Sequence, residues 1–273
     1  MNNPLPNLPL EIAIFAAEIA IVGAAFFLIE KLRPAEKQTP FFKPGFRQEL
    51  GLAFFNISIS SPLCALIIAG ALIGLIQNII PYQIFDTQLS SLPLSLQILA
   101  ACFIKDFSTY WRHRLTHRIG FLWPFHAVHH AAENLTWITA LRLHPVDVFV
   151  AVTFDVLFLH ILGFSGPGIA LSIFVMKAYN YFTHANLDLQ FDKPFRYIFA
   201  SPNFHRWHHA TTKAAYNKNF CSMFSLLDWM FSTYYHPDNL PAAYGLEPQE
   251  QRQYPKTLTG WLAYPFKRLG DEL

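Results

Sequence analysis

One seven-residue pattern, Phe-His-x-x-His-His-Ala, occurs twice in this chain, at Phe125–Ala131 and Phe204–Ala210. A His-x-x-x-His pair, His113 and His117, stands just upstream of the first copy. Together the three boxes hold eight of the 12 histidines: His113, His117, His126, His129, His130, His205, His208 and His209. On an α-helix, residues at i, i+3 and i+4 share a face, so each box is a compact set of imidazole donors. A lone histidine is ordinarily a solvated or hydrogen-bonded residue. Eight in this register point to metal, because neutral imidazole is the commonest protein ligand for it. Eight rings exceed the four ligands of a zinc site, and Arg114 stands where a zinc protease carries Glu, so the boxes predict a two-metal cluster. Imidazole suits iron, zinc, copper and nickel alike, and spacing does not choose among them.

Both longer boxes read as helix starts. Pro124 and Pro202 sit at positions where a missing N–H is harmless, and Ser201 is a natural N-cap. The positive end of the helix dipole there is expected to keep the rings neutral.

The rest of the chain predicts an all-α, polytopic membrane bundle: about three spans plus a helical hairpin, with a cytosolic helical cap holding the histidine-rich dimetal site. Of its 273 residues 53% are hydrophobic and 14% charged, with 27 phenylalanines. Soluble domains average about 25% charged residues. Net charge of +2 is uninformative about nucleic acid, but no dense basic run of the kind a nucleic-acid binder shows is present, so no nucleic-acid partner is expected. Cys64, Cys102 and Cys221 are scattered and read as packing residues. The first span is Ile12–Ile29, with Glu18 facing other helices. The basic segment Lys31–Arg47 is then cytoplasmic by the positive-inside rule. A second span, roughly Leu52–Ile76, is kinked near Pro62. The third runs from Leu94 to about Trp111 and carries His113 and His117 out of the membrane. Val146–Tyr181, broken at Gly163–Gly168, reads as a helical hairpin that goes in and returns; its arms of about 24 Å fall short of a ~30 Å hydrocarbon core, which leaves full crossing open. These features divide the chain into membrane spans at 1–93, a catalytic segment at 94–245 and a cytosolic tail at 246–273.

Further site candidates follow from position. Asp106, Tyr110, His113 and His117 share one helical stripe, so Asp106 is expected to accept a hydrogen bond from a ligand imidazole. Its alternative is an ion pair with Lys105 or with an arginine between 112 and 118. Asn180 and His184 lie four apart where the hairpin returns, and His184 is the ninth ligand candidate. His144 could equally hydrogen-bond nearby backbone. His160 and His236 read as structural.

These motifs resemble the fatty acid hydroxylase/sterol desaturase superfamily of membrane di-iron oxygenases. The resemblance covers roughly Asp106 to Gly245. It rests on Asp106-x-x-x-Tyr-Trp-x-His-Arg-x-x-His117, Phe125-His-x-x-His-His130, Arg142-Leu-His-Pro145, Asn180-x-x-x-His184 and Pro202-x-x-His-x-x-His-His209. It implies two irons held by His113, His117, His126, His129, His130, His184, His205, His208 and His209. It also implies O2 as co-substrate and hydroxylation or desaturation of a lipid C–H bond. The Arg-x-His-Pro element resembles the sterol-desaturase branch and makes His144 a secondary candidate. With no fused cytochrome b5 domain, electrons are expected from a separate cytochrome b5-like or ferredoxin-like donor. The expected location is the cytosolic face of a bacterial inner membrane or of the endoplasmic reticulum. Similar members often carry Gly at the positions of Cys221 and Ser232, which puts the local turn in question but not the metal site. The competing reading is a non-redox membrane metal protein, either a zinc-dependent hydrolase or a metal transporter. A hydrolase would show a carboxylate base among the histidines, and a transporter would place its ligands at the bilayer midplane.

Overall fold

The computed structural model describes residues 8–40, 42–68 and 89–271. Every regular element among them is helical; the only β feature there is an isolated bridge between Ala210 and Tyr244. The helices are α1 (Leu8–Leu32), α2 (Phe46–Phe55), α3 (Ser61–Ile68), α4 (Leu94–Arg118), α5 (Trp123–His130), α6 (Pro145–Ile161), α7 (Gly166–His184), α8 (Pro202–His208), α9 (Leu226–Met230), α10 (Pro248–Gln253) and α11 (Leu258–Asp271).

The long helix α4 is the axis of the fold. It runs unbroken for 25 residues, roughly 37 Å at about 1.5 Å per residue. Its last two turns carry His113 and His117. Helices α6 and α7 pack along it, and α8 packs on α7. The turn between α6 and α7 uses Gly163 in the left-handed region (φ 70°), where a side chain would be strained. Ser165 then caps α7 by accepting from the Gly168 N–H. The two arms are 17 and 19 residues long, about 26 and 28 Å.

Pro62 lacks the N–H that would continue an α-helical ladder. The chain accommodates it with a π-helical stretch, Asn56–Ser60, that joins α2 to α3 without a break. Residues 69–88 lie outside the described residues, and with them the expected end of the second span and most of the uncharged loop. Among the described residues no helix is both long and apolar enough to cross a membrane.

The expected basic loop has a second role. Lys43 is buried and donates to the Asn134 carbonyl and the Thr139 hydroxyl, both at 2.6 Å. It also pairs with buried Glu49 at 3.0 Å. Glu30 accepts from the backbone N–H groups of Trp137 and Asn186. These buried polar contacts fix the first helices against the segment that carries the histidines. At the other end, Trp261 of α11 shares a core with Leu52, Ala127 and Leu246. Glu18 faces other helices, accepting from Tyr181 and pairing with Lys177.

Candidate metal centre

The nine histidine candidates gather into two groups. One holds His113, His117, His126, His130 and His208; the other holds His129, His184, His205 and His209. Within each group the potential ligand atoms all lie within 4.8 Å of one another. The repeated box explains the division. On α5, the rings at i and i+4 (His126, His130) enter the five-histidine group, and the ring at i+3 (His129) enters the other. On α8 and its C-cap the sense is reversed: His205 and His209 enter the four-histidine group and His208 crosses over. The end of α4 completes the first group with His113 and His117. The end of α7 completes the second with His184.

Hydrogen bonds on the far side of the rings fix their orientation. The Nδ1 atoms of His113 and His208 lie 2.8 Å from the carbonyls of Phe220 and Lys218. That contact requires Nδ1–H and leaves Nε2 as a bare lone pair. His126 Nδ1 meets the Asp147 carboxylate at 2.8 Å, and Asp147 also pairs with Arg112 at 3.2 Å. The Nε2 atoms of His113, His117, His126, His130 and His208 are all buried without a partner. On His113, His126 and His208 the bond at Nδ1 makes Nε2 a bare lone pair, and convergent lone pairs with no donor to meet them are unfavourable unless a cation sits among them.

The second group differs: its Nε2 atoms meet one another, and the buried atoms without a partner are the Nδ1 atoms of His129, His205 and His209. His184 donates from Nδ1 to the Asn180 carbonyl. Its bare Nε2 then faces His205 Nε2 at 3.0 Å and His129 Nε2 at 3.1 Å. His209 Nε2 stands 3.2 Å from His205 Nε2. A lone pair wedged between two other ring nitrogens is where a metal ion fits. These donors suit the metals that the resemblance implies.

Burial keeps eight of the nine rings neutral. Desolvation, followed by the mutual repulsion of neighbouring imidazoles, holds His113, His117, His129, His130, His205 and His209 well below the ordinary histidine range. His208 is lowered to about 3 and His184 to about 4, again first by burial. The expected helix-dipole contribution does not apply. Helices α5 and α8 are only eight and seven residues long, so His129, His130 and His208 stand in their last turns, at the end that favours cations.

Three candidates take other roles. Asp106 touches no histidine. Its carboxylate accepts from the backbone N–H groups of Ser222 (2.8 Å), Met223 (3.0 Å) and Phe224 (2.6 Å). Three amides occupy it fully, and Lys105 pairs instead with Asp155. Asn180 serves through its main-chain carbonyl, which any residue would supply. His144 lies outside both groups: its Nδ1 accepts from the Val146 N–H and its Nε2 lies 3.2 Å from the Leu262 carbonyl. His236 is structural, contacting Arg196. The side chain of His160 lies outside the described residues.

Sequence reasoning missed the supports. Asp147 supplies the imidazole acceptor that Asp106 was expected to be; its signal is a carboxylate in an apolar helix, which is costly without a partner. Asp228 accepts from the N–H groups of Phe220 and Cys221 and from the Thr233 hydroxyl. Asp106 and Asp228 together pin residues 220–224, and this turn presents the Phe220 carbonyl to His113. The turn containing Cys221 therefore supports the histidine cluster. Ser232 has φ 59°, a conformation that favours glycine.

Residues 98–233 match the family model described as fatty acid hydroxylase. An ornithine lipid hydroxylase of Rhizobium tropici is 31% identical over 179 residues, covering 65% of this chain and 53% of the relative. A methylsterol monooxygenase of Arabidopsis thaliana is 29% identical over 161 residues, covering 53% and 56%. The human alkylglycerol monooxygenase is 27% identical over 142 residues, covering 52% and 31%. The chain thus spans about half the length of the first two and about a third of the last. No solved structure matches it. The region from residue 98 to 233, which holds all nine clustered histidines, places the chain in the fatty acid hydroxylase/sterol desaturase superfamily.

Proposed function

We propose that the protein is a non-haem di-iron oxygenase that uses O2 and electrons from a separate cytochrome b5-like or ferredoxin-like donor to hydroxylate or desaturate a lipid C–H bond. The observation that carries the reading is the pair of buried imidazole groups: in one, five Nε2 atoms have no partner, and in the other the Nε2 atoms meet only one another. The nine histidines would hold two irons, which supply the O2 chemistry that no side chain offers. The protein's own residues fix ring tautomers through Asp147, Phe220, Lys218 and Asn180 and exclude bulk water by burial. The relatives' names, a lipid hydroxylase and two monooxygenases, agree with this chemistry.

The number of donors supports a two-iron site over a zinc site. The first group has five rings, one more than a tetrahedral site uses. No carboxylate joins either group among the described residues.

A lipid substrate and a membrane location fit the surface. Ile21, Leu28, Leu66, Leu99 and Phe174 are each more than half exposed, on four different helices. Exposed apolar side chains on four helices support contact with lipid or partners. An apolar groove of about 430 Å³ lies between α1 and Trp137 and offers a seat for an aliphatic chain. We place the histidine groups at the cytosolic face of a bacterial inner membrane or of the endoplasmic reticulum.

The test is metal analysis and iron spectroscopy on detergent-purified protein from iron-replete cells. The reading expects about two irons per chain, a coupled-iron signature and O2 uptake that depends on a lipid extract. Bound zinc with no retained iron, and no O2 consumed on chemical reduction, would overturn it in favour of hydrolysis or transport.

A further inference from the structure

The two histidine groups differ in their access to water. A cavity of about 350 Å³ has the rings of His117, His130 and His208 in its wall, all from the five-histidine group. The exposed side chains of Tyr216 and Glu247 also line it, so it opens to solvent, and Arg268 stands beside them. At ~30 Å³ per water it holds about ten waters, room for a hydrated divalent ion. None of the four rings of the other group lines this cavity. Those rings are 1–4% exposed. They are packed behind a buried polar layer in which Arg206, itself 0% exposed, donates to the Leu135 and Ala185 carbonyls and to Asn186.

We propose that this cavity is the route by which a divalent metal reaches and leaves the five-histidine group, and that the four-histidine group exchanges its metal far more slowly. The carboxylate of Glu247 at the opening suits a hard or borderline cation in transit, and the unpartnered Nε2 atoms of His117, His130 and His208 receive it. The opening is held by a clasp between α10 and α11, in which Glu250 accepts from Tyr264 and pairs with Arg268. The inference rests on the two-metal reading above.

The experiment follows iron release from the ferrous, detergent-solubilised protein under anaerobic conditions, using a water-soluble chelator whose iron complex is coloured. Two phases of equal amplitude are expected. Glu247→Trp, which narrows the opening at an exposed position, should slow the fast phase several-fold and leave the slow phase unchanged. Arg268→Ala, which loosens the clasp, should quicken the fast phase only. His117→Ala should purify with about half the iron, and that remainder should leave only in the slow phase. A single phase, equal slowing of both phases by Glu247→Trp, or a surviving fast phase in His117→Ala would overturn the proposal. Fewer than two irons in the unsubstituted chain would instead defeat the two-metal reading itself.

Discussion

Replacing Asp147 with Asn isolates what its charge does for one metal group. Its carboxylate accepts from His126 Nδ1 at 2.8 Å and pairs with Arg112 at 3.2 Å. An Asn oxygen can still accept from the imidazole N–H and hold the tautomer. Its NH2 group must then face the Arg112 guanidinium, and the negative charge that makes the ring a stronger donor is gone. Partners of this kind are worth about 10–100-fold in metal affinity, or ~1.4–2.8 kcal/mol. Asp147→Leu removes the acceptor as well and should reach or pass the upper end of that range. Competition with a chelator of known affinity, read by metal content and by the spectrum of a cobalt-substituted sample, measures the change group by group. The expected result is weaker binding at the five-histidine group and unchanged binding at the group of His129, His184, His205 and His209. Equal weakening of both groups, or none at either, would refute the argument that this hydrogen bond supports His126 specifically.

Asp106→Asn should leave at least one of three buried amides unsatisfied, at about 1–3 kcal/mol each; a chemical-denaturation curve reads the loss, and metal analysis should show the five-histidine group weakened through the Phe220 carbonyl. Ser232→Gly should relieve left-handed strain and stabilise the fold by about 1 kcal/mol, seen as a raised thermal midpoint. The metal-free protein should lose stability on mild acidification. His184 and His208 stay neutral in the fold down to about 4 and 3, whereas an unfolded histidine takes up its proton near 6.5. Stability from these rings is therefore present above pH 6.5 and falls as pH drops towards 4 and 3. At pH 5 each has lost about 2 kcal/mol. A denaturation midpoint that stays flat from pH 7 to 5 would contradict this.

The grouping of the nine imidazoles was legible because it is local. Spacings of three and four residues survive as helix faces whatever the tertiary fold. Its division between two groups was not legible, since two identical boxes contribute in opposite senses according to how α5 and α8 meet. The unbroken α4 and the α6–α7 turn could be read from hydropathy and from Gly163. Asp106 misled because helical stripe arithmetic gives direction without partners: the carboxylate turned to a loop 116 residues further on. Asp147 went unrecognised because its partner depends on a packing contact, and the supports offered by Phe220, Lys218 and Asn180 are main-chain carbonyls, which carry no residue signature. Lys43 counted as one more loop cation until the fold buried it against Glu49.

The buried polar layer that ties Glu30, Glu36 and Lys43 to Asn186, Arg206 and Asn134 has a consequence for the order of events in a growing chain. Its contacts join residues 91 to 170 positions apart, and such long loops close slowly and late. The imidazoles of α4 and α5 leave the ribosome well before α8 and its C-cap, which complete both groups. For that interval five or more rings are exposed to whatever divalent ion is at hand. Each group acquires its full set of nitrogens only when α8 docks, so an ion taken up earlier is held by an incomplete set.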